Sequence, residues 1–184
     1  MSVFCFFDTE TTGLIEHRNR PLDRQPRIIE LFALKVHVGP GGAWDEIATL
    51  DELFNVPVPL EPIITKITGI RQDDLADKPP IGERWNAIDD FMGGADTLCA
   101  HNLSFDLQML DFEAKRLGTT FSRPERLICT VEQTEHMFGR RPRLSDLHQK
   151  LFGEPHGGAH RAEADVRAMA RCVQELIARG ELEA

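Results

Sequence analysis

The chain has 184 residues, of which 41% are hydrophobic and 28% charged. That is the make-up of a single folded domain, 1–184, with room for a full core, and it excludes a chain that is mainly disordered. No apolar stretch approaches the length of a membrane span and the N-terminus lacks a basic-then-apolar leader, so the expectation is a cytoplasmic protein with no membrane partner; a net charge of −9 weighs against nucleic-acid binding by overall charge.

Val3–Phe7 is an unbroken run of strand formers, which predicts a strand buried on both faces. It runs into Asp8-Thr9-Glu10-Thr11-Thr12-Gly13. Side chains alternate along a strand, so Asp8 and Glu10 point the same way. Two carboxylates side by side repel unless protonated or neutralised by a cation. An all-oxygen set suits Mg²⁺ or Mn²⁺ rather than zinc. Acids two apart are also common at solvated strand ends, so the pair alone decides nothing.

A polar loop bearing prolines and arginines follows over 15–26, long enough to be mobile or to cover a site. Arg27–Val38 and Trp44–Phe54 read as two strands joined by the turn Gly39–Gly42 in a meander. Pro57, Pro59 and Pro62 forbid a central strand and lead into a short helix near Ile63–Thr68, with Gly69 as its C-cap. Asp73-Asp74-Leu75 and Pro79-Pro80 form a connector. Ile81–Met92 carries apolar residues at helical spacing, and Gly93-Gly94 ends it. Asp96–Ala100 is a short strand, Leu103–Leu117 a helix, and Arg126–Val131 another strand. Glu132–Phe138 can open a helix, a further one spans Leu144–Phe152, and the last runs from about Arg161 to Ala178. Three strands followed by alternating helices and strands give an α/β domain, a mixed five-stranded sheet flanked by helices.

Two further stretches carry chemistry. Ala100-His101-Asn102-Leu103-Ser104-Phe105-Asp106 lies where a buried strand ends and a helix begins, a common place for sites in α/β folds. Asp106 alone would read as an acid complementing the helix dipole. His160-Arg161-Ala162-Glu163-Ala164-Asp165 opens the last helix. Five residues on one helix differ by about 140° in direction, so His160 and Asp165 face one centre only if His160 precedes the helix. Glu163 reads as solvent-facing. Charge is unevenly spread: residues 115–143 carry 7 basic and 3 acidic residues, whereas 1–114 carry 9 and 20. Arg140-Arg141-Pro142-Arg143 is therefore either a solvated loop or a basic face for a phosphate backbone. The four cysteines, Cys5, Cys99, Cys129 and Cys172, form no C-x-x-C pair and read as buried free thiols.

The string DTETTGL at 8–14 resembles the first motif of the DEDDh 3′–5′ exonucleases, the family of the proofreading (epsilon) subunit of bacterial replicative DNA polymerases and of related free-standing exonucleases. HN-x-x-FD at 101–106 resembles the second motif, H-x-A-x-x-D at 160–165 the third in its histidine form, and ITGI at 67–70 and RLSDL at 143–147 resemble further family elements. The resemblance spans Phe4 to about Ala178 and implies a ribonuclease-H-like exonuclease fold. It implies that Asp8, Glu10, Asp106 and Asp165 bind two Mg²⁺, with Mn²⁺ able to substitute, and that His160 is the general base. It also implies that Thr11 and Leu14 contact the terminal nucleotide, Leu14 as an apolar wedge, with His101 and Asn102 lining the same pocket. Two departures stand out: a longer 15–26 loop, and Cys129-Thr130 where Asp-Thr is expected.

The function so implied is hydrolysis of phosphodiester bonds from a free 3′ end, DNA favoured, releasing nucleoside 5′-monophosphates. Its partners would be nucleic acid and, in the proofreading case, a DNA polymerase or other replication and repair proteins. The chain stops soon after the last helix, which favours a free-standing enzyme or a subunit without a polymerase-binding tail. The alternatives are an RNA-trimming exoribonuclease of the same family and a non-catalytic module that keeps the fold; the presence of all four acids and the histidine speaks against the latter.

Overall fold

The computed structural model describes residues 2–17, 20–39, 43–157 and 161–183. Strand β1 (Ser2–Thr11) lies in the middle of a five-stranded sheet of order β3-β2-β1-β4-β5. It runs antiparallel to β2 (Ile28–Val38), which pairs antiparallel with β3 (Trp44–Leu53). On its other side β1 runs parallel to β4 (Thr97–Ala100), which is parallel to β5 (Arg126–Cys129). This is the mixed sheet expected from the element order. The turn between β2 and β3 falls partly on residues 40–42, outside those described.

The helices are α1 (Pro62–Thr68), α2 (Gln72–Leu75), α3 (Ile81–Gly93), α4 (Leu103–Arg116), α5 (Thr130–Thr134), α6 (Leu144–Phe152) and α7 (Ala162–Ala178). Two of them differ from expectation. The connector after Gly69 contains the turn of helix α2, whose Asp74 accepts from the Arg71 backbone N–H at 2.8 Å and so closes the helix start. The strand expected to reach Val131 stops at Cys129, because Thr130 already begins α5. Pro62 at the first position of α1 costs no hydrogen bond there, and Gly69, at φ 76°, closes the helix with its N–H on Thr65 O at 2.9 Å.

Alternation along β1 divides the core. Cys5 and Phe7 face one layer, with Trp85 and Ile88 of α3 and Met109 and Leu110 of α4. Phe4 and Phe6 face the other, with Leu147 of α6 and Val166, Met169 and Val173 of α7. Phe4, Phe6 and Phe7 are fully buried; each contributes about 1.5–3 kcal/mol of transfer free energy. That two-sided burial is why the sequence shows a continuous apolar run rather than an alternating one. The edge strand β3 exposes Asp45, Glu46 and Asp51, charges that discourage pairing with another sheet. A third, smaller cluster of Ile29, Val56, Ile70 and Leu75 seats the α1–α2 segment against β2. Among the described residues no helix is long and apolar enough to cross a membrane.

Candidate active site

The apolar part of β1 ends at Phe7, and the next residues leave the core at the sheet's C-terminal edge. Asp8 and Glu10 continue the side of Phe4 and Phe6, so they face α7. Asp165 lies in the first turn of α7. One carboxylate oxygen from each of Asp8, Glu10 and Asp165 lies within 4.8 Å of the others. Asp106 arrives from the opposite face, on the first turn of α4, and is 2% exposed. Its Oδ1 accepts from the Thr9 backbone N–H at 3.1 Å and from the Thr9 hydroxyl at 2.7 Å. Thr9 points towards α4 because its two acidic neighbours point towards α7. The Asp-Thr-Glu order thus serves both faces at once, and Thr9 was overlooked in the sequence although the same alternation predicts its direction.

The electrostatics follow from burial and crowding. Burial pushes the Asp8 carboxyl well above the usual carboxylate range, and the charges of Asp106, Glu10, Asp165 and Glu30 push it further. Glu10 is raised to about 8 by burial and then by Glu30, Asp165 and Asp106, with Arg161 pulling the other way. Burial raises Asp106 to about 7 against the two hydrogen bonds from Thr9. The group cannot ionise fully on its own near neutral pH. Several carboxylate oxygens converging on one point, with no nitrogen or sulfur donor among the three, fit a hard divalent cation.

Glu30 is the second residue that sequence reasoning missed. It stands opposite Glu10 in the β1–β2 register, beside a bulge between Glu10 and Thr11, and is 2% exposed. Its carboxylate accepts from Arg161 Nε at 3.1 Å and Nη2 at 2.7 Å, and from the Ala162 backbone N–H at 3.1 Å. Helix α7 has no cap from its own Arg161 side chain; Glu30 supplies it from the sheet. The helix that carries Asp165 is thereby seated on the strand that pairs with the one carrying Glu10. Glu163 points outward and pairs with Arg167, as expected.

His160 lies outside the described residues. A different imidazole stands at the cluster: His156 Nε2 hydrogen-bonds Asp165 Oδ1 at 2.7 Å, and its buried Nδ1 has no partner among the described residues. The only sequence signal for it was a histidine between Pro155 and Gly157 in a glycine-bearing loop. His101 Nε2 lies 3.2 Å from the Pro142 carbonyl and Nδ1 2.8 Å from Thr130 Oγ1. A carbonyl only accepts, so Nε2 carries the proton and Nδ1 accepts from the threonine hydroxyl. Burial lowers the His101 pKa, which keeps the ring neutral.

The expected common pocket for Thr11, Leu14, His101 and Asn102 is divided in two. Thr11 and Leu14 border a cleft of about 830 Å³ whose far wall is Ile63, Ile64 and Ile67 of α1. Leu14 is 83% exposed, and the Thr11 hydroxyl donates to Gly13 O at 2.7 Å. His101 and Asn102 border a second cleft of about 700 Å³, shared with Asp8, Asp165 and Arg141. The reason is topological: His101 follows β4, and its ring is held by Thr130 and Pro142 on the α6 side. Asn102 takes φ 73°, ψ 45°, a left-handed conformation that asparagine tolerates better than most, and its Oδ1 accepts from Arg141 Nη2 at 3.2 Å. The loop that frames the first cleft is pinned by the last turn of α4. Arg116 Nη2 donates to the carbonyls of Leu22, Gln25 and Pro26 at 2.9, 2.8 and 3.0 Å, while buried Glu113 holds Arg116 Nη1 at 2.7 Å.

Acids that converge at the C-terminal end of the central strand of such a sheet make a candidate site for metal-assisted hydrolysis. The chain belongs to the exonuclease family whose RNase T model matches residues 5–173. It is 30% identical over 176 residues to a PolC-type DNA polymerase III of Caldanaerobacter subterraneus, covering 95% of this chain and 11% of that protein. It is 31% identical over 184 residues to a putative bifunctional exonuclease/endonuclease protein of Mycobacterium tuberculosis, covering 97% of this chain and 27% of that one. The chain thus spans about a tenth to a quarter of the length of these relatives. Among solved structures, the nuclease domain of 3′hExo, a DEDDh family member bound to rAMP, superposes with a TM-score of 0.78 at 17% identity, over 99% of this chain and 95% of that one. Exonuclease X in complex with 5′ overhanging duplex DNA gives 0.65 at 23% identity, over 98% and 95%.

Proposed function

We propose that the chain is a two-metal-dependent 3′–5′ exonuclease that hydrolyses the last phosphodiester bond of a nucleic acid, DNA favoured, and releases nucleoside 5′-monophosphates. The observation that carries this is the convergence of Asp8, Glu10 and Asp165 on one point, with Asp106 held beside them by Thr9. These four acids would hold the two Mg²⁺ ions, or Mn²⁺ in their place. Cations held there would make a water more acidic and offset the charge that develops on the leaving 3′-oxygen. The chain's own residues do the rest. Glu30 and Thr9 keep the acids in position from the two faces of the sheet. Leu14 stacks against the terminal base as a wedge, and Thr11 shapes the turn that presents it. His160 takes the proton of the attacking water, a role suited to an imidazole near neutral pH. Asn102 orients the strand, and His101, with both ring nitrogens engaged, braces the wall of its cleft.

Free, buried cysteines are in keeping with a cytoplasmic enzyme. The PolC-type relatives support association with replication proteins, through a polymerase or alongside one. The test is digestion, with Mg²⁺, of 3′-labelled and 5′-labelled single- and double-stranded DNA and RNA oligomers. Label should leave the 3′ end first as mononucleotide, a 3′-phosphate should block it, and EDTA should stop it. Cutting of a circular single strand as fast as a linear one would overturn the reading.

A further inference from the structure

The acid cluster lies between two clefts of opposite character. The Leu14 cleft is bordered by Glu10 and by three further carboxylates, Glu16, Asp23 and Glu61, against Arg24 and Arg27, with the isoleucines of α1 opposite. Among the described residues the His101 cleft has no carboxylate in its walls besides Asp8 and Asp165, and it carries Arg141 and Arg143.

The stereochemistry of the substrate assigns them. A phosphodiester poised at the cluster joins the terminal nucleoside to the nucleotide before it. One side of the cluster must receive that nucleoside and another must receive the strand that leads to it. An apolar wall suits a base, whereas the three carboxylates outside the metal cluster outnumber Arg24 and Arg27 and repel a run of phosphates. The arginine cleft has the reverse preference: guanidinium groups hold phosphate oxygens through charge-assisted, bidentate bonds.

The arginine loop is also built rather than merely basic. Pro142 O accepts from His101 at 3.2 Å, the Arg143 backbone N–H donates to Asp146 Oδ2 at 3.1 Å, and Arg140 donates to the same oxygen at 2.7 Å. The backbone between them is therefore tied at both ends. Arg140 is committed to Asp146, but Arg141 meets Glu132 only at 4.0 Å and is 51% exposed. No ion pair of Arg143 occurs among the described residues.

Resting on the exonuclease reading, we propose that Arg141 and Arg143 bind the phosphates on the 5′ side of the scissile bond, so that the cleft between β4 and α6 is the track of the incoming strand. His101 is then a positioning residue that holds this loop beside the cluster.

Two substrates separate this proposal from the reading beneath it. The first is a single-stranded octanucleotide. The second is a nucleoside 5′-monophosphate p-nitrophenyl ester, which has the scissile phosphoester and the terminal nucleoside but no upstream strand. In the Arg141→Ala/Arg143→Ala protein with Mn²⁺, the ratio of kcat/KM on the octamer to kcat/KM on the ester should fall about 10–100-fold, mainly through the KM for the strand. The slope of log affinity for the octamer against log salt should shrink by about 0.7 for each phosphate that is no longer neutralised. Arg141→Lys/Arg143→Lys should recover most of the slope. If the wild-type protein cleaves both substrates while the alanine variant keeps its ratio and slope, this proposal alone falls. A loss shared equally by ester and strand would place the arginines in the fold or at the metal centre and also overturn it. If the wild-type protein cleaves neither substrate, the exonuclease reading fails and the track falls with it.

Discussion

Raising the pH of the metal-free protein should destabilise it, and a divalent cation should reverse the loss. Glu10 is held at about 8 in the folded chain against an ordinary 4.5, and Asp106 at about 7 against 3.8. A carboxyl whose folded pKa is raised binds more protons folded than unfolded, so stability falls as pH rises between the two values. At about 1.36 kcal/mol per unit the Glu10 shift alone corresponds to about 5 kcal/mol. The acids share one repulsion, and Glu10 is only half-buried so that solvent screens part of it, which leaves an expected loss of about 2 kcal/mol between pH 5 and 8.5. For a chain of this size that is about 4–8 °C in Tm. His101 acts in the opposite sense, because its lowered pKa makes stability grow as pH rises towards the ordinary imidazole value. Thermal unfolding of the wild-type and Glu10→Gln proteins across this range, in EDTA and in Mn²⁺, isolates the cluster, since His101 cancels in the difference. The wild-type curve should fall in EDTA and recover in Mn²⁺, which binds the folded cluster preferentially, and Glu10→Gln should flatten the EDTA curve. A wild-type Tm that is level or rising from pH 5 to 8.5 without metal, or indifferent to Mn²⁺, would refute the reasoning.

Thr9→Val removes the hydroxyl donor to Asp106 and leaves the backbone one. It should cost about 1–3 kcal/mol in urea unfolding and weaken Mn²⁺ binding, since Asp106 then holds its proton to higher pH; unchanged Mn²⁺ affinity would remove Thr9 from the site. His160→Ala should lower kcat by ~10²–10⁴-fold with metal affinity kept, whereas His156→Ala, which deletes the hydrogen bond to Asp165 Oδ1, should weaken Mn²⁺ binding first. The reverse pattern, read by single-turnover kinetics and calorimetric titration, would exchange their roles.

Residue order by itself was enough for the scaffold. An apolar run buried on both faces, three prolines ending the meander, and a glycine after α1 are local signals with local physical causes. The later segments were equally legible, with α6 expected at Leu144–Phe152 and α7 within a residue of its start. The period of two in Asp-Thr-Glu also foretold that Asp8 and Glu10 share a face. What the chain order could not express was partnership across distance. Thr9 finds Asp106 97 positions away, and Glu30 finds Arg161 131 positions away. Neither residue stands out in its own segment: Thr9 reads as a strand former, and Glu30 as a stray acid in an apolar strand. The two clefts were likewise indistinguishable in sequence, because Leu14 and His101 each follow a strand that ends at the same sheet edge. Only the packing of α1 beside one strand end and of the Arg141 loop beside the other separates them. Side-chain direction is a property of the local backbone and can be read from spacing. The group a side chain meets depends on which elements pack together, and here the burial of two hydrophobic layers on either side of β1 decided it.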